Sequence, residues 1–137
     1  MPGTFRVQLV TPEGVIVDNE VEEIIAPGIS GEFGVLIGHT PMLTFMKPGI
    51  FSYLENDRFT RFVVGPGFCE VLGDSVTVLV EQAFSKEELD AASAASELAE
   101  LETRLRSIDS AADPAAHERL STKIKIARAK VALASRA

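Results

Sequence analysis

The chain has 137 residues, 46% of them hydrophobic and 24% charged, with a formal net charge of −7. A chain of this size and composition buries about two-thirds of its unfolded surface on folding, which excludes disorder over most of its length. No run approaches the roughly 18 apolar residues of a membrane span, and Met1-Pro2-Gly3-Thr4 lacks the charged and apolar regions of a secretory signal, so a soluble, cytosolic protein without membrane insertion is expected.

Charge is unevenly spread. Residues 1–84 carry 11 acids and 4 bases, a balance of −7, whereas residues 85–137 carry 9 of each. The sequence divides accordingly into a first unit, 1–84, and a second, 85–137. Phosphate backbones and anionic lipid repel the acidic first unit, which argues against nucleic acid and for a protein surface as its partner. The single cysteine, Cys69, lies in the apolar run Phe68 to Leu72 and reads as a buried thiol without a disulfide.

Short strands separated by turns fill the first unit. Phe5, Val7 and Leu9 alternate with Arg6 and Gln8, the period of a half-buried strand, and Pro12-Glu13-Gly14 turns the chain. Val15–Val17 and Val21–Ala26 follow. Residues 28–49 then hold five glycines and two prolines around an apolar run. That spacing predicts a tight turn, a short buried strand and a second turn that presents Glu32 and His39 at the surface, a shaped docking loop. Ile50–Leu54 and Phe59–Val64 pair through Glu55-Asn56-Asp57-Arg58, and Phe68–Leu72 pairs with Val76–Val80 around Gly73-Asp74. Closely spaced strands with no intervening helix pattern point to an antiparallel β-sandwich or barrel.

At Ser85 the texture changes. Ser85-Lys86-Glu87-Glu88 fits a capping box and predicts a helix start. Ala91, Ala94, Leu98, Leu101, Leu105 and Ile108 repeat at helical spacing. Asp113-Pro114 predicts a second helix, with stripe Leu120, Ile124, Ala127, Val131 and Ala134. The short connection predicts an antiparallel hairpin, and its alanine-rich interface a marginal one. Residues 85–106 hold 6 acids against 3 bases and residues 119–137 hold 6 bases and no acid, so attraction between the helices supports closure weakly.

Reactive chemistry is sparse. His39, His117 and Cys69 lack metal-ligand spacing, and no metal or cofactor is expected. Gly28-x-x-Gly31-x-x-Gly34 lacks the Gly-Lys-Ser/Thr ending of a phosphate loop and reads as a glycine-rich turn region. His39 and Glu32 have no partner nucleophile in view, which favours binding over catalysis, since recognition residues sit on loops of rigid scaffolds. The basic residues Arg119, Lys123, Lys125, Arg128, Lys130 and Arg136 lack interleaved aromatics, so they read as a solvated face or a match for an acidic protein surface.

Four segments, Gly31-Glu32-Phe33-Gly34-Val35-Leu36, Gly38-His39-Thr40-Pro41-Met42-Leu43, Lys47-Pro48-Gly49, and Val64 to Val71 followed by Val76-Thr77-Val78-Leu79, closely resemble the epsilon subunit of bacterial-type rotary ATP synthases. The resemblance implies a β-sandwich of about ten strands followed by an antiparallel two-helix hairpin. It implies a non-catalytic central-stalk rotor subunit, coupling the gamma subunit to the membrane c-ring during proton-driven ATP synthesis. Glu32, Gly38, His39, Thr40 and Pro41 would touch the polar loops of the c-ring. Ile37 stands where the family commonly has proline. The hairpin would be a candidate inhibitor of ATP hydrolysis, with Arg119, Lys123, Arg128 and Lys130 reaching the catalytic alpha and beta subunits when it extends. Some family members bind ATP through Ile/Leu-Asp-x-x-Arg-Ala; here Leu89-Asp90-Ala91-Ala92-Ser93-Ala94 has serine for the arginine, so Leu89 and Asp90 read as vestiges with weak or absent ATP binding. The location implied is peripheral, on the cytoplasmic face of a bacterial inner membrane. A free-standing β-sandwich adaptor is the competing reading.

Overall fold

The computed structural model describes residues 3–136; Met1, Pro2 and Ala137, and with them the first half of the segment read for a leader, lie outside the described residues. Ten strands come first: β1 (Phe5–Thr11), β2 (Gly14–Val21), β3 (Glu23–Gly28), β4 (Gly31–Leu36), β5 (Met42–Met46), β6 (Gly49–Glu55), β7 (Arg58–Val64), β8 (Gly67–Leu72), β9 (Ser75–Val80) and β10 (Ala83–Ser85). A 3₁₀ turn over Lys86–Glu88 leads to helices α1 (Ala91–Arg106) and α2 (Pro114–Ala134).

Pairing in the order β10-β7-β6-β3-β4 makes one layer and β5-β8-β9-β1-β2 the other; the two join where Gly28 of β3 meets Met46 of β5. At another corner Asn19 Nδ2 donates to Glu55 Oε1 at 3.0 Å. Alternate residues of both layers point inward, so Val7, Leu9, Ile24, Phe51, Phe62, Val71 and Val78 share one core. The expected sandwich is present, but β1 and β9 pair in parallel, and Met42–Met46 and Ala83–Ser85 form strands where the sequence reading placed a turn and a helix start. Both short hairpins form, and the one at Asn56-Asp57 has positive φ (53° and 62°) at both central residues, the signature of a turn whose twist matches its strands.

Helix boundaries shift from expectation. Ser85 belongs to β10, its amide and hydroxyl both donating to Glu88 Oε1 at 3.0 Å, and that motif closes only a single 3₁₀ turn. Leu89 stays extended and packs with the cluster under the hairpin; α1 starts two residues later, with Asp90 accepting from the Ser93 amide at 2.9 Å. The apolar contact of Leu89 therefore overrides the local capping signal. Asp113 caps α2 as expected, accepting from the Ala116 amide at 3.1 Å.

The hairpin seam also differs. It is built on Leu98, Leu101, Leu105, Ile108, Leu120, Ile124 and Ala127, all on the expected stripes, and Ala94 is buried as well; only at Ala91 is the stripe exposed, so leucine and isoleucine supply more of the burial than alanine. α2 buries a second face: Ile126 and Leu133 pack with Ala129 onto Val63, Ile50 and Phe84, on the outer surface of the first sheet. The molecule thus has three layers, sheet, sheet and hairpin.

Candidate functional site

Surfaces rather than a cleft carry the candidate site. On the outer face of the second sheet, strand pairing places Phe45 beside Phe68, Phe68 beside Leu79, Leu79 beside Val10, and Val10 beside Val15. Five apolar residues thus cross all five strands in one row. Phe45 and the nearby Leu43 are each 68% exposed, and Ile29 is tied to the row by its amide donating to the Phe45 carbonyl at 3.0 Å. A monomer leaves so contiguous an apolar row in water only at a cost, which marks it as an interaction surface. Sequence reading missed this row. The signal was available in Leu43, Phe45 and Phe68, which break the alternation by placing large apolar groups on the solvent face.

The glycine-rich segment proves to be an edge strand and a turn, not a loop around a buried strand. β4 is the free edge of the first sheet; Val35 is buried, while Leu36 and Ile37 are exposed. After Leu36 the chain turns, with the His39 amide donating to the Leu36 carbonyl at 3.2 Å and Gly38 at φ +81°. There the absence of a Cβ is required. His39 Nδ1 lies 2.7 Å from the Thr40 carbonyl, and Thr40 and Pro41 are exposed. Glu32 is exposed too, but next to the β3–β4 turn, where it faces Pro27 across the ladder. Four residue-to-residue steps of strand, about 13 Å, separate it from Leu36. Gly38, His39, Thr40 and Pro41 are brought together; Glu32 sits at the other end of the same edge.

The basic residues of α2 divide by partner. Lys130 Nζ pairs with Glu97 on α1 at 3.2 Å and stands 4.2 Å from the ring centroid of Phe84 on β10, so one ammonium touches both helices and the sandwich. Arg128 pairs with Glu102 at 3.4 Å. Lys123 lines a cavity of about 300 Å³ between hairpin and sandwich with Gln82, Glu97, Glu100 and Arg104, while Arg119 is exposed. Cys69, buried between the sheets, has its thiol pushed up to about 12 by loss of solvation.

Residues 4–86 match the family described as the ATP synthase delta/epsilon chain, β-sandwich domain. The chain is 42% identical over 108 residues to the ATP synthase epsilon chain of Desulfosudis oleivorans, covering 78% of this chain and 81% of that one. It belongs to the ATP synthase epsilon chain family. The epsilon chain of Afipia carboxidovorans is 37% identical over 75% of this chain and 76% of its own. Among solved structures, a chain of the Euglena gracilis mitochondrial ATP synthase OSCP/F1/c-ring assembly superposes with TM-score 0.82 at 24% identity, covering 96% of this chain and 82% of that chain. A chain of the Tetrahymena thermophila central stalk/c-ring superposes at 0.62, with 13% identity and coverage of 92% and 95%. At those identities the likeness shows the shared fold.

An epsilon chain is a non-catalytic stalk subunit of the rotary synthase, which displaces the free-standing adaptor reading. It is part of a membrane-associated complex, and no helix among the described residues is long and apolar enough to cross a membrane. Leu89 packs under the hairpin, and Asp90 caps α1 on the amide of Ser93.

Proposed function

We propose that the sandwich, residues 1–84, couples the gamma subunit to the c-ring, and that the hairpin, residues 85–137, is a detachable restraint on ATP hydrolysis. The apolar row Phe45, Phe68, Leu79, Val10 and Val15 carries this reading: it is the surface most in need of a stable protein partner, and gamma is the partner a rotor subunit must grip. The β4 edge is offered to the polar loops of the c-ring, with Gly38, His39, Thr40 and Pro41 at one end and Glu32 at the other. A backbone fixed by strand pairing on one side transmits torque with little loss to loop motion. On this proposal the chain sits at the cytoplasmic face of a bacterial inner membrane, held by proteins alone.

The hairpin is docked in this structure. Extension would release Arg128 and Lys130 from Glu102 and Glu97 and, with Arg119 and Lys123, offer them to acidic surfaces of the alpha and beta subunits; only such a differential contact shifts the equilibrium. With serine at position 93, ATP binding is weak or absent and contributes little to holding the hairpin closed. The test uses purified gamma. Phe45→Ser with Phe68→Ser should weaken its capture of the full chain at least tenfold while leaving the melting temperature within a few degrees; undiminished capture would refute the docking face. Deleting residues 85–137 should raise ATPase activity of the assembled synthase, and an unchanged rate would end the inhibitory half alone.

A further inference from the structure

On the outer face of the first sheet, beside the end of α2, a groove of about 550 Å³ is lined by Glu32, Lys47, Ser52, Phe59, Arg61 and Arg136. It runs into a second of about 620 Å³ that shares Phe59, Arg61 and Arg136 and adds Arg58, Lys86 and Glu87. The first unit has only four bases. One, Arg6, is held by Asp18 on the other sheet in a two-pronged contact at 2.8 Å. The remaining three, Lys47, Arg58 and Arg61, all converge here and are joined by Lys86 and Arg136, giving five cations against Glu32 and Glu87. The ion pairs among the described residues lie elsewhere, at Arg6, Arg128 and Lys130, so none of these five meets a carboxylate of the described residues within 4 Å. In a molecule of net charge −7 that concentration of unpaired cations is a local inversion of sign.

We propose that this groove is a docking site for an extended, carboxylate-rich segment of a partner protein. The cations are strung along two open, connected hollows, spacing that suits carboxylates carried at intervals on a peptide better than one compact anion. Arg61 is held over the Phe59 ring at 5.2 Å to its centroid, which keeps its guanidinium ordered and ready for a bidentate contact. The site also spans the moving junction. Arg136 follows α2, whereas Lys47, Arg58 and Arg61 belong to the sandwich, so an occupant touching both favours the docked hairpin. At ten times its dissociation constant it would raise the docked-to-undocked ratio about elevenfold if it bound only the docked form. The site lies on the sheet opposite the apolar row and does not depend on how gamma binds.

A fluorescein-labelled hexaglutamate peptide, titrated into the full chain and followed by anisotropy, tests this. Saturable binding that weakens with salt is expected, at least tenfold weaker in the doubly substituted Arg61→Gln, Arg136→Gln chain and unchanged in Arg6→Gln. Should the double variant lose its circular dichroism signal, Lys47→Gln with Lys86→Gln replaces it and should weaken binding severalfold. Absence of saturable binding, or an equal loss in Arg6→Gln, overturns the proposal. Displacement of the peptide by equimolar pyrophosphate, or binding to phosphatidylglycerol vesicles with the same arginine dependence and none to the peptide, reassigns the groove and equally overturns it. Hairpin linkage is read separately by labelling a Val63→Cys chain, whose thiol lies under α2: saturating peptide should slow labelling about tenfold, and an unchanged rate refutes the linkage.

Discussion

Leu133→Ala should undock the hairpin without unfolding the sandwich. Leu133 is fully buried, and its burial comes from Val63 and the neighbouring Ile50 and Phe84 of the sandwich, so the truncation penalises the docked state and spares the undocked one. Removing a buried leucine to alanine costs about 2.7 kcal/mol at the low end of the measured range. At 1.4 kcal/mol per factor of ten, the docked-to-undocked ratio falls about 100-fold. The reporter is again a Val63→Cys thiol, fully shielded beneath α2. When redocking is fast, its rate of modification follows the undocked population, so Leu133→Ala should raise that rate about 100-fold. Native Cys69 lies between the sheets and serves as an internal control, because it reacts only if the sandwich itself opens. Leu43→Ala, at an exposed position on the other sheet, should change nothing. An increase below threefold, or simultaneous labelling of Cys69, would refute the view that Leu133 locks a separable layer.

Three further expectations follow from the geometry. A Cβ on Gly67 would lie 1.9 Å from the Leu79 carbonyl oxygen, so Gly67→Ala should separate β8 from β9, cost several kcal/mol by denaturant titration and lower soluble yield; a native midpoint would contradict the packing. The hydrogen bonds and charge of Arg6 hold the Asp18 carboxyl below its ordinary range, so the folded state prefers the ionised form. That contribution is present above the unfolded value near 4 and is lost as pH falls through the lower folded value, and Arg6→Gln should flatten this part of the melting-temperature profile below about pH 4. With its thiol at about 12, native Cys69 should resist disulfide reagents at pH 8 and react at the rate of global unfolding; rapid native-state modification would place it outside the core.

Most of the strands, the two-residue hairpin turns and the second helix cap were legible in the chain, because each depends on neighbours a few residues apart; β5, inside the glycine-rich segment, and β10, at the expected helix start, were not. Asn56-Asp57 accept positive φ, and Asp113-Pro114 satisfies a helix start by itself. The family was legible too, since glycines and prolines at fixed intervals between residues 28 and 49 describe one backbone path. What the sequence alone misjudged was which side of each element faces what. The run Val35-Leu36-Ile37 reads as buried, but only pairing shows that β4 is an edge with Leu36 and Ile37 in water.

Long-range arrangement decided the rest. No local rule places Val15 in line with Phe45, thirty residues away, and the row exists only because five strands are laid side by side in register. Glu32 and His39 are seven positions apart in sequence, and strand geometry rather than spacing sends them to opposite ends of β4. Leu89 stays out of α1 because the sandwich offers it a better burial than another helical turn would. Composition and periodicity determine which elements a chain forms, since those preferences are set by the backbone and adjacent side chains. The docking surfaces come from pairing and packing across the whole length, where the free energy of a contact belongs to two distant residues at once and is written in neither segment alone.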